Sequence, residues 1–219
     1  VFQGAFASTG QKCTATRRVY VQASVAERFL NALAERTRSA RIGYGLDDGV
    51  EIGPLVNARQ LGAVLQEIER AAGQGTVHAG GRRYEDSAHP GGLFVEPTIF
   101  TDLPTTSTLA CDEVFGPAVG IWEYETFDDA VTAANNTRYG LSAAVFTRDL
   151  DRAKEFAERI KAGVVRVNTQ TAGIEPHAPL SGWRESGYGQ AEQGRAAIDF
   201  FTDIKTIYLN PSQDGRQPS

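Results

Sequence analysis

The sequence predicts an α/β protein, a mostly parallel sheet flanked by helices. Short β-branched and aromatic runs alternate with amphipathic helical stretches along most of its 219 residues. Strands separated by helices of that length need crossover connections, which run parallel strands side by side. With 41% hydrophobic and 22% charged residues the chain has apolar material for a large core, and a disordered composition is excluded.

The elements follow in order. "ATRRVYVQ" (residues 15–22) reads as a strand and "SVAERFLNALAERTRSA" (24–40) as a helix. Ser24 with Glu27 three residues on predicts a capping box for that helix. Residues 43–57 are a Gly- and Pro-bearing loop, and Leu61, Val64, Leu65 and Ile68 predict a helix over 58–72. Strands are predicted at 76–79, 93–100 and 118–123, then a helix at 127–135. Strand 141–147, helix 150–160 and strand 163–168 repeat the alternation. A polar loop, a helix at 192–201 and a last strand, "KTIYL" (205–209), complete the pattern, and the final residues carry no apolar anchors.

Net charge is −5, with Lys and Arg scattered, so nothing marks a nucleic-acid partner. No apolar run is long enough to span a membrane and no basic start precedes a signal segment, so a cytoplasmic protein is expected. Cys13 and Cys111 are far apart and outside any CxxC pair, and His78, His89 and His177 lack ligand spacing; a metal site and a disulfide are set aside. The chain has no Met and opens on "VFQGAF", as a piece of a longer protein would.

Cys13 sits in "FASTGQKCTATRRVYV" (6–21). Small neighbours leave its sulfur approachable, and Lys12, Arg17 and Arg18 raise the local potential in favour of thiolate. Cysteine is also among the most buried residue types, so these features alone leave a core thiol as the commoner reading.

Three further segments change that balance: "DEVFGPAVGI" (112–121), "GLSAAVFTRDLDRA" (140–153), and "GVVRVN" (163–168) followed by "PLSGWRESGYG" (179–189). With "GQKC" they stand in the order found in the NAD(P)-dependent aldehyde dehydrogenase superfamily, which the chain resembles from about Gly4 to Leu209. The resemblance implies that Cys13 attacks an aldehyde carbon, giving a thiohemiacetal and then a thioester. It implies that Glu113 hydrogen-bonds the nicotinamide ribose of NAD or NADP and that Phe115 packs beside the ring. Asn168 and the loop to Leu180 would border the aldehyde tunnel. Gly163 and Gly182 read as turn or close-packing glycines.

Two departures stand out. Leu180 to Gly182 read "LSG" where family members carry an aromatic and two glycines, and "GQAEQG" replaces a common "GRE-x-G". "STGQKCTATRRV", "TAGIEPHAPLSG" and "EQGRAAIDFFTDIKT" look most like the branch that oxidises 2-oxoglutarate semialdehyde (2,5-dioxopentanoate). Arg17, Arg166 and His177 are candidate partners for that anionic substrate.

The implied organisation is a catalytic domain over 1–201, incomplete at its N-terminus, an oligomerisation strand at 202–210 and a tail at 211–219. The dinucleotide-binding domain, the oxyanion Asn and the general-base Glu would lie outside this chain, leaving it inactive alone. The full enzyme would be a homodimer or homotetramer. Two other classes stay in view: a cysteine hydrolase or acyltransferase pairing Cys13 with His177, and a non-catalytic protein that kept the fold.

Overall fold

The computed structural model describes residues 1–210; the predicted tail at 211–219 lies outside them. Helix α1 is Phe2–Phe6, followed by a tight turn at Ala7–Gly10, strand β1 at Arg18–Gln22 and helix α2 at Ala23–Arg38. Then come α3 (Ala58–Ala72), β2 (Thr76–Ala79), β3 (Thr98–Thr101), α4 (Thr108–Cys111), β4 (Ala118–Tyr124) and α5 (Phe127–Asn135). The chain continues through β5 (Ser142–Val145), α6 (Leu150–Arg159), β6 (Val164–Val167) and α7 (Ala196–Phe201).

The strands form two sheets, one ordered β1-β4-β3-β2 and one of β5-β6. All pairings are parallel except β2 with β3, as the alternating pattern predicts. One core lies between α1, α2 and the larger sheet, built on Phe6, Leu33, Ile99 and Val119. A second joins Leu61, Val64 and Ile68 of α3 to Phe100 and Leu109. Val131, Phe156 and Ile160 make a third under β5 and β6. Phe100 is fully buried, so Phe100→Ala is expected to cost about 3–5 kcal/mol in urea unfolding of the chain.

Several local predictions are corrected. The Ser24 capping box does not form: β1 runs straight into α2, Gln22 is the N-cap, and Ser24 already lies in the first turn. Side-chain caps occur instead at Asn57, Ser107, Thr126 and Asp149, with a full capping box between Thr126 and Asp129. The strand predicted at 93–100 is interrupted at Pro97, which has no N–H to give a ladder: β3 starts at Thr98, and before the proline Val95 makes only an isolated antiparallel bridge to Arg83. Glu192 is not helical; it pairs with Leu180 across an antiparallel bridge, and α7 starts at Ala196. Residues 205–209 make no ladder among the described residues, and Ile204, Ile207, Tyr208 and Leu209 lie exposed.

Glu67 on α3 is buried beside Arg70, with Oε2 2.8 Å from Nη1. Burial raises its pKa and Arg70 opposes the shift. A raised pKa means the folded state holds this proton more tightly than the unfolded chain. The Glu67 contribution to stability therefore rises as pH falls from the raised value toward the ordinary glutamate range near about 4.3. Glu67→Gln should remove that gain, read as a flatter urea midpoint against pH across the window.

Candidate active site

The loop carrying Cys13 is shaped by three consecutive residues in the left-handed region, Ser8 (φ 53°), Thr9 (φ 57°) and Gly10 (φ 66°). Left-handed backbone costs a non-glycine residue roughly 1–2 kcal/mol, so other contacts must hold the turn. Thr9 Oγ1 donates to Gly53 O at 3.0 Å, and Gln11 Oε1 accepts from Val56 N at 3.0 Å. The Thr16 N–H returns to Gly4 O at 2.9 Å. Between these anchors Thr14 is buried and Cys13 projects out, exposed and unpaired. Its backbone N–H has no acceptor among the described residues.

A second loop meets the first. Glu113 and Phe115 follow α4, and Phe115 is also left-handed, at φ 53°. Gln60 on α3 pins this loop, its Nε2 donating to Val114 O at 3.1 Å and to Phe115 O at 3.0 Å. Gly10 lies against Gly116 so closely that a Cβ there would sit 2.2 Å from Gly116 O. Only glycine permits that approach, and it brings the thiol loop and the carboxylate loop together. Gln60→Ala should loosen the second loop by about 1 kcal/mol, the usual worth of such bonds, seen as faster amide exchange over 113–116.

Cys13 and Glu113 open onto one cavity of about 840 Å³, lined also by Arg17, Tyr139, Gln170 and Thr171. Phe115 lines a smaller adjoining recess with Glu113, Arg17 and Lys12. Arg17 lies over the Tyr139 ring, its Cζ 5.4 Å from the centroid, and Arg138 sits 4.8 Å from the same ring. Arg138 in turn bonds Asp112 Oδ1 at 2.7 Å and Glu185 Oε2 at 3.2 Å. Burial and the neighbouring Arg18 lower the Arg17 pKa, while Glu113, Tyr139 and Asp112 pull the other way. Arg18 is committed elsewhere: its guanidinium caps the end of α5 through Ala134 O at 2.9 Å. Its predicted help to the thiolate is therefore not what its side chain is built for.

The aldehyde dehydrogenase family model matches residues 1–207. This chain belongs to the aldehyde dehydrogenase family. An α-ketoglutaric semialdehyde dehydrogenase of Bacillus subtilis is 41% identical over 96% of the chain and 43% of its own length. A betaine aldehyde dehydrogenase of Cereibacter sphaeroides is 42% identical over 94% of the chain and 42% of its own length. An aldehyde dehydrogenase from Bacillus cereus, solved as an NAD+ complex, superposes with a TM-score of 0.89 at 34% identity, covering 95% of this chain and 42% of that one. The chain thus spans less than half the length of these relatives.

Not every residue singled out in this aldehyde dehydrogenase sequence reaches the cavity. Asn168, left-handed at φ 56°, uses its side-chain amide on Thr147, donating to its O and accepting from its N, each at 2.9 Å. His177 is exposed and Leu180 half-buried, and neither lines the space around Cys13. Among the described residues no histidine lines the cavity onto which Cys13 opens, as a thiol–imidazole pair of a cysteine hydrolase would need. Gly163 and Gly182 are close-packing glycines: a Cβ at Gly163 would meet Ser181 O at 1.6 Å, and one at Gly182 would meet Ser186 O at 2.1 Å. Sequence reasoning missed Gln60 and Tyr139, and reached Thr171 only as part of the loop expected to border the tunnel. Thr171 Oγ1 lies 2.7 Å from Thr16 Oγ1 and donates to Thr14 O at 2.8 Å, a tie across the chain with no local signal.

Proposed function

We propose that this chain carries the nucleophile-bearing part of an NAD(P)+-dependent enzyme that oxidises an aldehyde to a carboxylic acid. The observation that supports this most is the exposed Cys13, with a free backbone N–H, facing the same cavity as Glu113. Sγ attacks the aldehyde carbon and the carbonyl oxygen takes up negative charge, which the Cys13 N–H is placed to receive. Loss of hydride from that carbon leaves an acyl thioester on Cys13, and water releases the acid and the thiol. NAD or NADP, when bound, supplies the hydride acceptor.

The residues present fit the nicotinamide end of such a cofactor. Glu113 offers an exposed carboxylate acceptor for ribose hydroxyls, and Phe115 presents a half-open ring in the adjoining recess. The oxyanion Asn, the general-base Glu and the dinucleotide-binding domain are assigned to polypeptide this chain does not span. Purified alone, the 219 residues should give no steady NAD(P)H with any aldehyde; sustained production would overturn this division of labour.

For the substrate we favour 2-oxoglutarate semialdehyde. Two relatives at 41% and 42% identity bear that name, and Arg17 supplies a cation at the cavity for its carboxylate. Betaine aldehyde, itself a cation, would meet a like charge at Arg17. In the intact enzyme Arg17→Gln should lower kcat/KM for 2,5-dioxopentanoate by about tenfold or more, the worth of one charged hydrogen bond, and change a neutral aldehyde far less. Equal losses on both would assign Arg17 to packing.

The exposed apolar segment Thr202–Leu209 supports a strand added to a neighbouring subunit, in a homodimer or homotetramer. Two free thiols fit a reducing cytoplasm, and among the described residues no helix is long and apolar enough to cross a membrane.

A further inference from the structure

Glu113 sits on a stretch of chain that does not hold itself. Among the described residues neither its N–H nor its C=O has a hydrogen-bond partner, so whatever fixes its place acts through its neighbours. On the C-terminal side that is Gln60, bound to the carbonyls of Val114 and Phe115. On the N-terminal side it is Asp112. The Asp112 N–H closes the end of α4 on Thr108 O at 2.7 Å, and its side chain meets Arg138.

Arg138 is a fixed post. It stands in the short connection between α5 and β5, where the backbone is tied to residues 184–186. Arg138 O accepts from Glu185 N at 3.2 Å, and Gly140 N donates to Ser186 Oγ at 3.0 Å. Arg184 Nη1 donates to Asn135 O at 2.7 Å and also to Thr137 O. From that base the guanidinium reaches three oxygens. Nη2 donates to Asp112 Oδ1 at 2.7 Å and to Tyr139 Oη at 2.8 Å, and Nη1 donates to Glu185 Oε2 at 3.2 Å.

A half-exposed ion pair ordinarily contributes little, because ordering two long side chains offsets the attraction. Here much of the ordering is done by other partners. Glu185 and the Tyr139 hydroxyl, with the ring 4.8 Å from Cζ, hold the guanidinium in place independently of Asp112. A planar fork can serve all three oxygens at once, which the single ammonium of a lysine cannot do in the same geometry.

We infer that Arg138 is a positioning residue for the cofactor carboxylate: through Asp112 it fixes one flank of Glu113, as Gln60 fixes the other, and so sets where that carboxylate meets the nicotinamide ribose. This rests on the assignment of Glu113 to the ribose. Arg138 acts from behind, since it lines neither the cavity of Cys13 nor the recess of Phe115. The two ends of the tie stand 26 residues apart in the chain.

A double-mutant cycle in the intact enzyme tests this, read as the dissociation constant of NAD(P)+ in a calorimetric titration. Arg138→Ala is expected to weaken binding roughly fivefold, the upper worth of a half-exposed ion pair. Glu113→Ala should weaken it at least as much. In the Glu113→Ala background Arg138→Ala should then change nothing, because the group it positions is gone; a residue that only stabilised the fold would weaken binding in both backgrounds. Asp112→Asn breaks the same tie from its other end and should match Arg138→Ala, and it carries the cycle if Arg138→Ala does not fold. Two results overturn the inference while leaving the ribose assignment standing. One is a change below about twofold from both Arg138→Ala and Asp112→Asn where Glu113→Ala weakens binding. The other is a loss that persists in full beside Glu113→Ala. If Glu113→Ala itself leaves cofactor affinity unchanged, the ribose assignment fails and the inference falls with it.

Discussion

Replacing Cys13 with alanine in the intact enzyme is expected to cut acid formation by roughly four to six orders of magnitude, the scale on which removal of a covalent nucleophile acts. Cofactor affinity should stay within about twofold, because the group assigned to the nicotinamide ribose is Glu113 on the other loop. The effect is large for a physical reason. In the proposed reaction attack, oxyanion formation and hydrolysis all take place on the carbon bound to that one sulfur, and among the described residues no second thiol opens on the same cavity. Cys111 is exposed too, but its Sγ lies 3.4 Å from Thr105 O at the end of α4 and it lines neither cavity. Cys111→Ser should therefore leave turnover nearly unchanged, and robust turnover by the Cys13 variant would require another nucleophile.

The second large effect is expected at Gly10. Gly10→Ala places a methyl group against the carbonyl of Gly116 and puts a side chain on a left-handed residue at φ 66°. The backbone preference alone costs about 1–2 kcal/mol. The collision cannot be relieved by turning a flexible side chain, because the neighbouring atoms, O and C of Gly116 and N of Pro117, are all backbone. One loop must move away from the other. Loss of at least about 2 kcal/mol of stability is expected, with a fall in kcat and a weaker cofactor complex together, since thiol and carboxylate separate. Gly45, with open space around it, is the control: Gly45→Ala should alter neither.

Much of this layout was legible in the chain. Leu61, Val64, Leu65 and Ile68 gave α3 its bounds, and the runs around Val131 and Phe156 gave α5 and α6. Periodicity reports which face of an element is buried, and these helices bury one face. What failed was local chemistry overruled by connection. Ser24 and Glu27 have the capping pattern, but a chain entering α2 directly from β1 leaves no free first turn to cap. The strand at 205–209 has strand composition without a ladder among the described residues, because a ladder needs a partner that composition does not specify.

The site divides in the same way. Cys13, Glu113 and Phe115 are candidates through their motifs, and the fold sets the first two on one cavity with Arg17. Gln60 and Tyr139 went unseen because each acts through a contact far along the chain and neither sits in a motif, whereas Thr171 stood within the loop expected at the tunnel without its tie to Thr14 and Thr16 being foreseen. Asn168 was read as a tunnel residue, yet its side chain is engaged with Thr147, a pairing that only strand register could disclose.

The most direct measurement is acid quenching of the intact enzyme during turnover with aldehyde and NAD(P)+, followed by peptide mass spectrometry. The acyl group should be found on the peptide bearing Cys13, with the mass of the product acid less water, and should vanish in Cys13→Ala. Acyl label on Cys111 instead, or full turnover with Cys13 never labelled under any quench, would contradict the thioester account.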